Sequence, residues 1–285
     1  MFGLQILDIA LGMIFVYLLL SLAVTAGTEV ISGVFHLRAK TLIEGVEKLL
    51  HDPAIAKQFF AHPLVRSLEI RGRKPSYIPA ETFRLAIGNI LAGEGTVKSI
   101  DEAQTAVHNL PEDSELRKVL LILIDEAEND FRMLQENVET LFNNSMNRVS
   151  GWYKSKAQTI TFFVALVIAC VSNADTIQIT RSLANDPALR DALVAQAQEY
   201  AKQDVPPTAG VDETIRGMKD LGVPLGWKGP PDNWLEKIVG LLLSTLAMTF
   251  GAPFWFDLLK KVVNIRSSGS LRAAADSVEP VPVKT

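Results

Sequence analysis

The chain has 285 residues, 48% hydrophobic and 21% charged, with positive mean hydropathy and a formal charge of −4. That balance leans towards partial burial in a membrane and excludes the basic stripe of a nucleic-acid-binding protein. One cysteine, Cys170, has no intrachain partner, and the histidines at 36, 51, 62 and 108 are scattered.

An apolar segment from Ile9 to about Phe35 follows a short lead. It lacks the basic start and small-residue cleavage site of a secretory signal and exceeds such a signal in length, so residues 1–35 read as a retained transmembrane helix. Residues 36–157 read as a cytoplasmic helical domain. Pro53 opens a short helix that His62-Pro63 ends, a basic proline-bounded loop spans 71–79, and helical spacing resumes over Ala80 to Leu91 and Glu102 to Leu110. Its 16 Lys/Arg nearly balance 17 Asp/Glu, the mark of a globular surface.

The stretch from Glu112 to Asn173 organises the rest. Leu116, Leu120, Leu123, Ala127, Phe131, Leu134, Val138 and Leu141 lay one stripe along a helix, and Thr161 to Val171 then carries no charge. One unbroken helix is predicted, entering a second crossing at residues 158–174, with Gly151 its weak point. With Ile55, Phe59, Phe60, Leu64, Phe83 and Ile87, the stripe supplies the domain's core. Val119 to Ile124, six apolar residues in succession, covers the whole circumference and predicts an intersubunit patch.

Residues 175–233 are rich in glycine and proline and read as an extracytoplasmic helical cap, with Asp186-Pro187 opening a helix to about Lys202. Residues 234–257 read as a third crossing kinked by Pro253, and 258–285 as a cytoplasmic tail disordered from Ser267. The predicted fold is therefore all-α, with three transmembrane helices and a long helix running into the second. Arg38, Lys40, Arg148, Lys154, Lys156, Lys260, Lys261 and Arg266 gather at one set of helix ends, against Arg181, Lys228 and Lys237 at the other. The positive-inside rule then puts the N-terminus outside and the C-terminus in the cytoplasm.

No phosphate loop, zinc motif, paired Cys-x-x-Cys or nucleophile elbow occurs, so no catalytic residue, cofactor or metal is expected. Glu47 and His51, four apart, read as surface residues. The basic loop at Arg71, Arg73 and Lys74 reads as a surface turn or a contact for anionic headgroups or nucleic acid, the turn being favoured. Glu29, Asn173 and Asp175 form the candidate intramembrane polar site, because an acid there is costly unless paired or wetted; pairing of Glu29 with Lys156 or Lys260 is the bland alternative. Ser21, Thr25 and Gly33 on the first crossing, Ala165 and Ala169 on the second, and Gly240, Ser244 and Gly251 on the third are candidate helix-packing positions. Trp152, Trp234 and Trp255 are candidate interface anchors.

The strings HPLVRSL (62–68), KPSYIPAETF (74–83), MNRVSGWYKSKAQ (146–158), NADT (173–176) and GAPFWFDLLKKVVNIRSSG (251–269) resemble those of an uncharacterised family of bacterial integral membrane proteins. The resemblance implies an inner-membrane location and no particular activity. The residues predict a non-enzymatic membrane scaffold that assembles with itself or with cytoplasmic protein partners, and does not bind nucleic acid. An oligomeric channel or transport component is the alternative.

Overall fold

A computed structural model describes residues 2–69, 72–93, 95–203, 211–227 and 229–276. Arg71, Lys228 and the tail from residue 277, all used above, lie outside the described residues. Among those described there are helices and no β-strand: α1 (Phe2–Phe35), α2 (Leu37–Leu50), α3 (Pro53–Ala61), α4 (Pro63–Arg66), α5 (Ala80–Leu91), α6 (Ile100–His108), α7 (Glu115–Glu126), α8 (Phe131–Ser172), α9 (Thr176–Asn185), α10 (Pro187–Ala201), α11 (Val211–Asp220), α12 (Trp234–Thr249) and α13 (Ala252–Asp276). Two compact units result, one of residues 1–31 and 157–285, the other of residues 32–156. α1 and α8 are long and apolar enough to cross a membrane, and α12 with α13 pass only as a pair bent by 92°.

The second unit, residues 32–156, is a helical globule. Phe83 stacks on Phe142 at 4.4 Å and touches Phe59 at 5.4 Å, with Val46, Leu50 and Ile78 buried around them. Ile55, Phe59, Phe83 and Ile87 are buried as expected, Phe60 is partly buried, and Leu64 faces outward. Side-chain caps define the helix starts: Asp52 for α3, Ser99 for α6 and Ser114 for α7 each accept backbone N–H bonds that the first turn leaves unmet. α2 approaches α8 closely at Gly45, where a Cβ would lie 2.3 Å from a Val149 methyl.

The predicted single helix from Glu112 to Asn173 is two. Glu128 and Asn129 adopt left-handed φ values of 45° and 69°, and Asp130 then caps α8 by accepting from the N–H groups of Arg132 and Met133 at 2.8 and 3.2 Å. Asparagine tolerates the left-handed region and aspartate makes a strong N-cap, so Asn129-Asp130 turns the chain despite an unbroken apolar stripe. Gly151, by contrast, is passed without a break. Within Val119 to Ile124, Leu120 and Ile124 are buried and Ile122 is exposed, so the apolar circumference narrows to one outward side chain.

The first unit is wound about α1. All of residues 11–24 of α1 except the partly buried Met13 are buried, with Leu11, Val16, Leu18, Leu20 and Ala23 fully enclosed, which is why the segment shows no polar stripe. Leu183 of α9 packs on Gly12, and Tyr200 of α10 meets Phe15 edge-on at 5.0 Å, so α9 and α10 flank the first half of α1. Their outer faces carry Arg181, Asp191, Gln196 and Glu199. α8 buries Ala165 and Ala169, while Phe163, Val167 and Val171 stand 59%, 60% and 73% exposed.

The segment expected to form the third crossing is two helices, α12 and α13, bent by 92° at the break between them. Gly251 takes φ +82°, which only glycine adopts freely, and Pro253 falls in the first turn of α13, where its missing N–H costs nothing. Ser21 donates to the Met248 carbonyl at 3.4 Å, Trp255 lies 4.7 Å from the Tyr17 ring, and Arg266 pairs with Asp8 at 2.8 Å. α13 therefore runs back towards the start of α1. Arg266 thus lies beside Asp8, and α13 continues through Asp276 where a disordered tail was expected from Ser267.

Candidate functional site

The site forms where α8 stops and α9 starts. Asn173 takes a left-handed φ of 52°, and Ala174 donates to the Ala169 carbonyl at 3.0 Å, a Schellman-type stop. Two residues on, Oδ1 of Asp175 accepts from the N–H groups of Ile177 and Gln178 at 2.9 and 3.2 Å and so starts α9. The string Asn-Ala-Asp-Thr thus encodes a joint. The other carboxylate oxygen, Oδ2, receives Lys237 Nζ at 3.0 Å, and both side chains are almost wholly buried.

Lys237 also donates to Gln178 Oε1 at 3.1 Å and stands 5.4 Å from the centre of the Trp227 ring. Trp227 donates to the Cys170 carbonyl, and Asn173 Nδ2 to the Gly226 carbonyl at 2.9 Å, stitching the loop before α12 to the end of α8. Asn173 Oδ1 is buried with no hydrogen-bond partner. Below the ion pair, Thr176 Oγ1 bonds both Tyr17 OH at 2.9 Å and Ser244 Oγ at 2.8 Å. A cavity of about 680 Å³ opens above it, lined by Asn173, Asp175, Gln178, Arg181, Glu236 and Lys237 among others, and Arg181 pairs with Glu236 at its wall. These groups offer donors and acceptors in pairs, an arrangement suited to holding a small polar solute. Among the described residues no three His, Cys, Asp or Glu gather as metal ligands.

Asn173 and Asp175 are brought together, and Glu29 is not with them. Glu29 is exposed on α1, and Lys156, its expected partner, pairs with Glu44 at 2.8 Å. The packing positions divide by role. Ser21, Ala165, Ala169 and Ser244 are fully buried, whereas Thr25 bonds back to the Ser21 carbonyl from an exposed position and Gly33 has open space around it. Gly240 leaves room for a carboxylate: a Cβ there would lie 1.9 Å from Asp175 Oδ1. Gly251 is the turn between α12 and α13. Trp152 is part-exposed beneath Lys48, whose ammonium lies 4.5 Å from its ring centre, and Trp234 is exposed at the first position of α12. Trp255 is a core residue, 9% exposed, donating to the Ala247 carbonyl at 2.8 Å; Phe250 and Phe254 are the outward rings at the bend.

Lys237 was read as a flanking charge and Trp227 not singled out. The sequence carries a signal for Lys237, a lysine in the first turns of a helix that carries no charge from Ile238 onward, where a buried charge needs a partner. Comparison with protein-family models, curated proteins and solved structures finds no match to this chain.

Proposed function

We propose that the protein is a non-enzymatic membrane scaffold, in which the unit around α1 is held in a bilayer and residues 32–156 form a helical platform for copies of itself or partner proteins. The observation that carries this reading is the apolar surface the first unit turns outward: Phe163, Val167 and Val171 of α8, and Leu235, Leu242, Leu243, Leu246 and Phe250 of α12. A water-exposed face of this extent is unfavourable, while hydrocarbon accepts it. The polar outer faces of α9 and α10 beside the first half of α1 suit the membrane surface, leaving lipid to the outward faces of α8 and α12.

In this arrangement α1 and α8 cross and α12–α13 enters and returns. Arg38, Lys40, Arg148, Lys154 and Lys156 still favour a cytoplasmic platform and an outer N-terminus, with α13 now outside as well. With Cys170 replaced, single cysteines at exposed Thr96, Asn185 and Lys261 test this in intact cells. Asn185 and Lys261 are expected to label together from outside and Thr96 only after lysis; Lys261 labelling with Thr96 would restore a through-going third span. Transport of a small polar solute is the second reading, favoured by the buried Lys237–Asp175 pair and the orphan Asn173 Oδ1 at an open cavity. Solute or ion flux in liposomes that Lys237→Met abolishes would move it to first place.

A further inference from the structure

We propose that the cleft at the end of α1 binds the phosphate of an anionic phospholipid headgroup. A cavity of about 990 Å³ lies between Ser32 and Gly33 in the last turns of α1, Arg38 and Lys40 at the start of α2, and Arg73 and Lys74 in the loop before α5. These cations come from two segments more than 30 residues apart, so only the tertiary fold gathers them. Among the described residues no Asp or Glu lines the cleft. Of the acids nearby in sequence, Glu44 holds Lys48 and Lys156, while Glu47 and Glu69 line a neighbouring cavity that shares Lys74, leaving Arg38, Lys40 and Arg73, among the described residues, as the cations of this cleft alone.

The loop is positioned. Ile78 and Pro75 are buried in the unit's core, and the Lys74 ammonium stands 5.1 Å from the Phe60 ring centre. His36, at φ 50°, turns the chain between α1 and α2 and carries Arg38 and Lys40 to the cleft wall. Guanidinium and ammonium groups recognise phosphate oxygens through charge-assisted hydrogen bonds, and among the described residues no carboxylate lines this cleft to compete for them. A lipid source is favoured over soluble phosphate by position. Val34 and Phe35, on the same last turn, are exposed, and so is Tyr77 at the cleft wall, which is the mixture of apolar and aromatic groups expected at headgroup depth. The site rests on the membrane reading above.

The test uses the full chain reconstituted into phosphatidylcholine vesicles with and without phosphatidylglycerol, with flotation read first and co-purifying lipid read by native mass spectrometry. The wild type is expected to float with both and to retain phosphatidylglycerol selectively. Each basic group near an anionic surface contributes about fivefold in binding, so Arg38→Ser with Lys40→Ser and Arg73→Ser is expected to lower that selectivity at least about tenfold. A control of equal charge, Lys57→Ser with Lys118→Ser and Arg132→Ser, is expected to leave it unchanged. The proposal is overturned if the wild type floats without lipid preference, if the control loses as much, if excess inorganic phosphate displaces the lipid, or if a short RNA competes as well as the lipid does. Failure to float even with neutral vesicles would remove the membrane reading and this site with it.

Discussion

α1 and the second half of α8 are both apolar enough to cross a membrane, yet the chain treats them oppositely. In its most apolar 18-residue window α1 is 72% buried within the protein, and α8 only 17%. Apolar sequence therefore reports exclusion from water and not the medium that does the excluding. For α1 the medium is largely the chain itself, with α9, α10 and α13 packed along it; for α8 it is supplied from outside, apart from the Ala165 and Ala169 face.

The sharpest way to break this contrast is paired truncation. Phe15→Ala on α1 empties a fully buried site and is expected to destabilise the protein by about 3–5 kcal/mol. Phe163→Ala on α8, with its ring outward, is expected to change stability by less than about 1 kcal/mol. Thermal unfolding in one mild detergent compares them directly, and equal losses would mean that α8 is covered as α1 is.

A second test sits where the two environments meet. Lys237→Met leaves the Asp175 carboxylate buried without its cation and is expected to cost about 3–5 kcal/mol. Asp175→Asn in the same chain keeps a side-chain oxygen to cap α9 while removing the charge, and most of that loss is expected to return. A double variant as unstable as Lys237→Met alone would show that the pair holds the fold by something other than charge balance.

The smallest expected effect belongs to the unit of residues 32–156. Hydrogen bonds from Lys156 and Lys48 hold the Glu44 carboxyl below its usual range. A carboxyl depressed in the folded state contributes stability that is present above its unfolded pKa and lost as pH falls through the folded value. The wild type is thus expected to lose slightly more stability than Glu44→Gln as pH drops below the ordinary glutamate pKa of about 4.3. Parallel acid limbs in the two melting curves would remove any role for this exposed cluster.

Much was legible from residue pattern. Helical class, the two long apolar helices, the helix start at Pro53 and the cap at Asp186 all follow from periodicity, hydropathy and capping chemistry, which act over a few residues and leave local marks. Where long-range contact decided, pattern fell silent. The break at Asn129-Asp130 was hidden by a continuous apolar stripe, because periodicity records which face is buried and carries no trace of a turn that preserves it. The return of α13 hung on Gly251 and Pro253, residues compatible with either a kink or a new start, and the Trp255 contact with Tyr17 and the Arg266 pair with Asp8 selected the second. Lys237 likewise declared a charge near an apolar helix end, but its partner lay 62 positions away in sequence, at Asp175. Hydropathy and capping are properties of a segment, whereas an ion pair between distant segments exists only once the chain has closed around it.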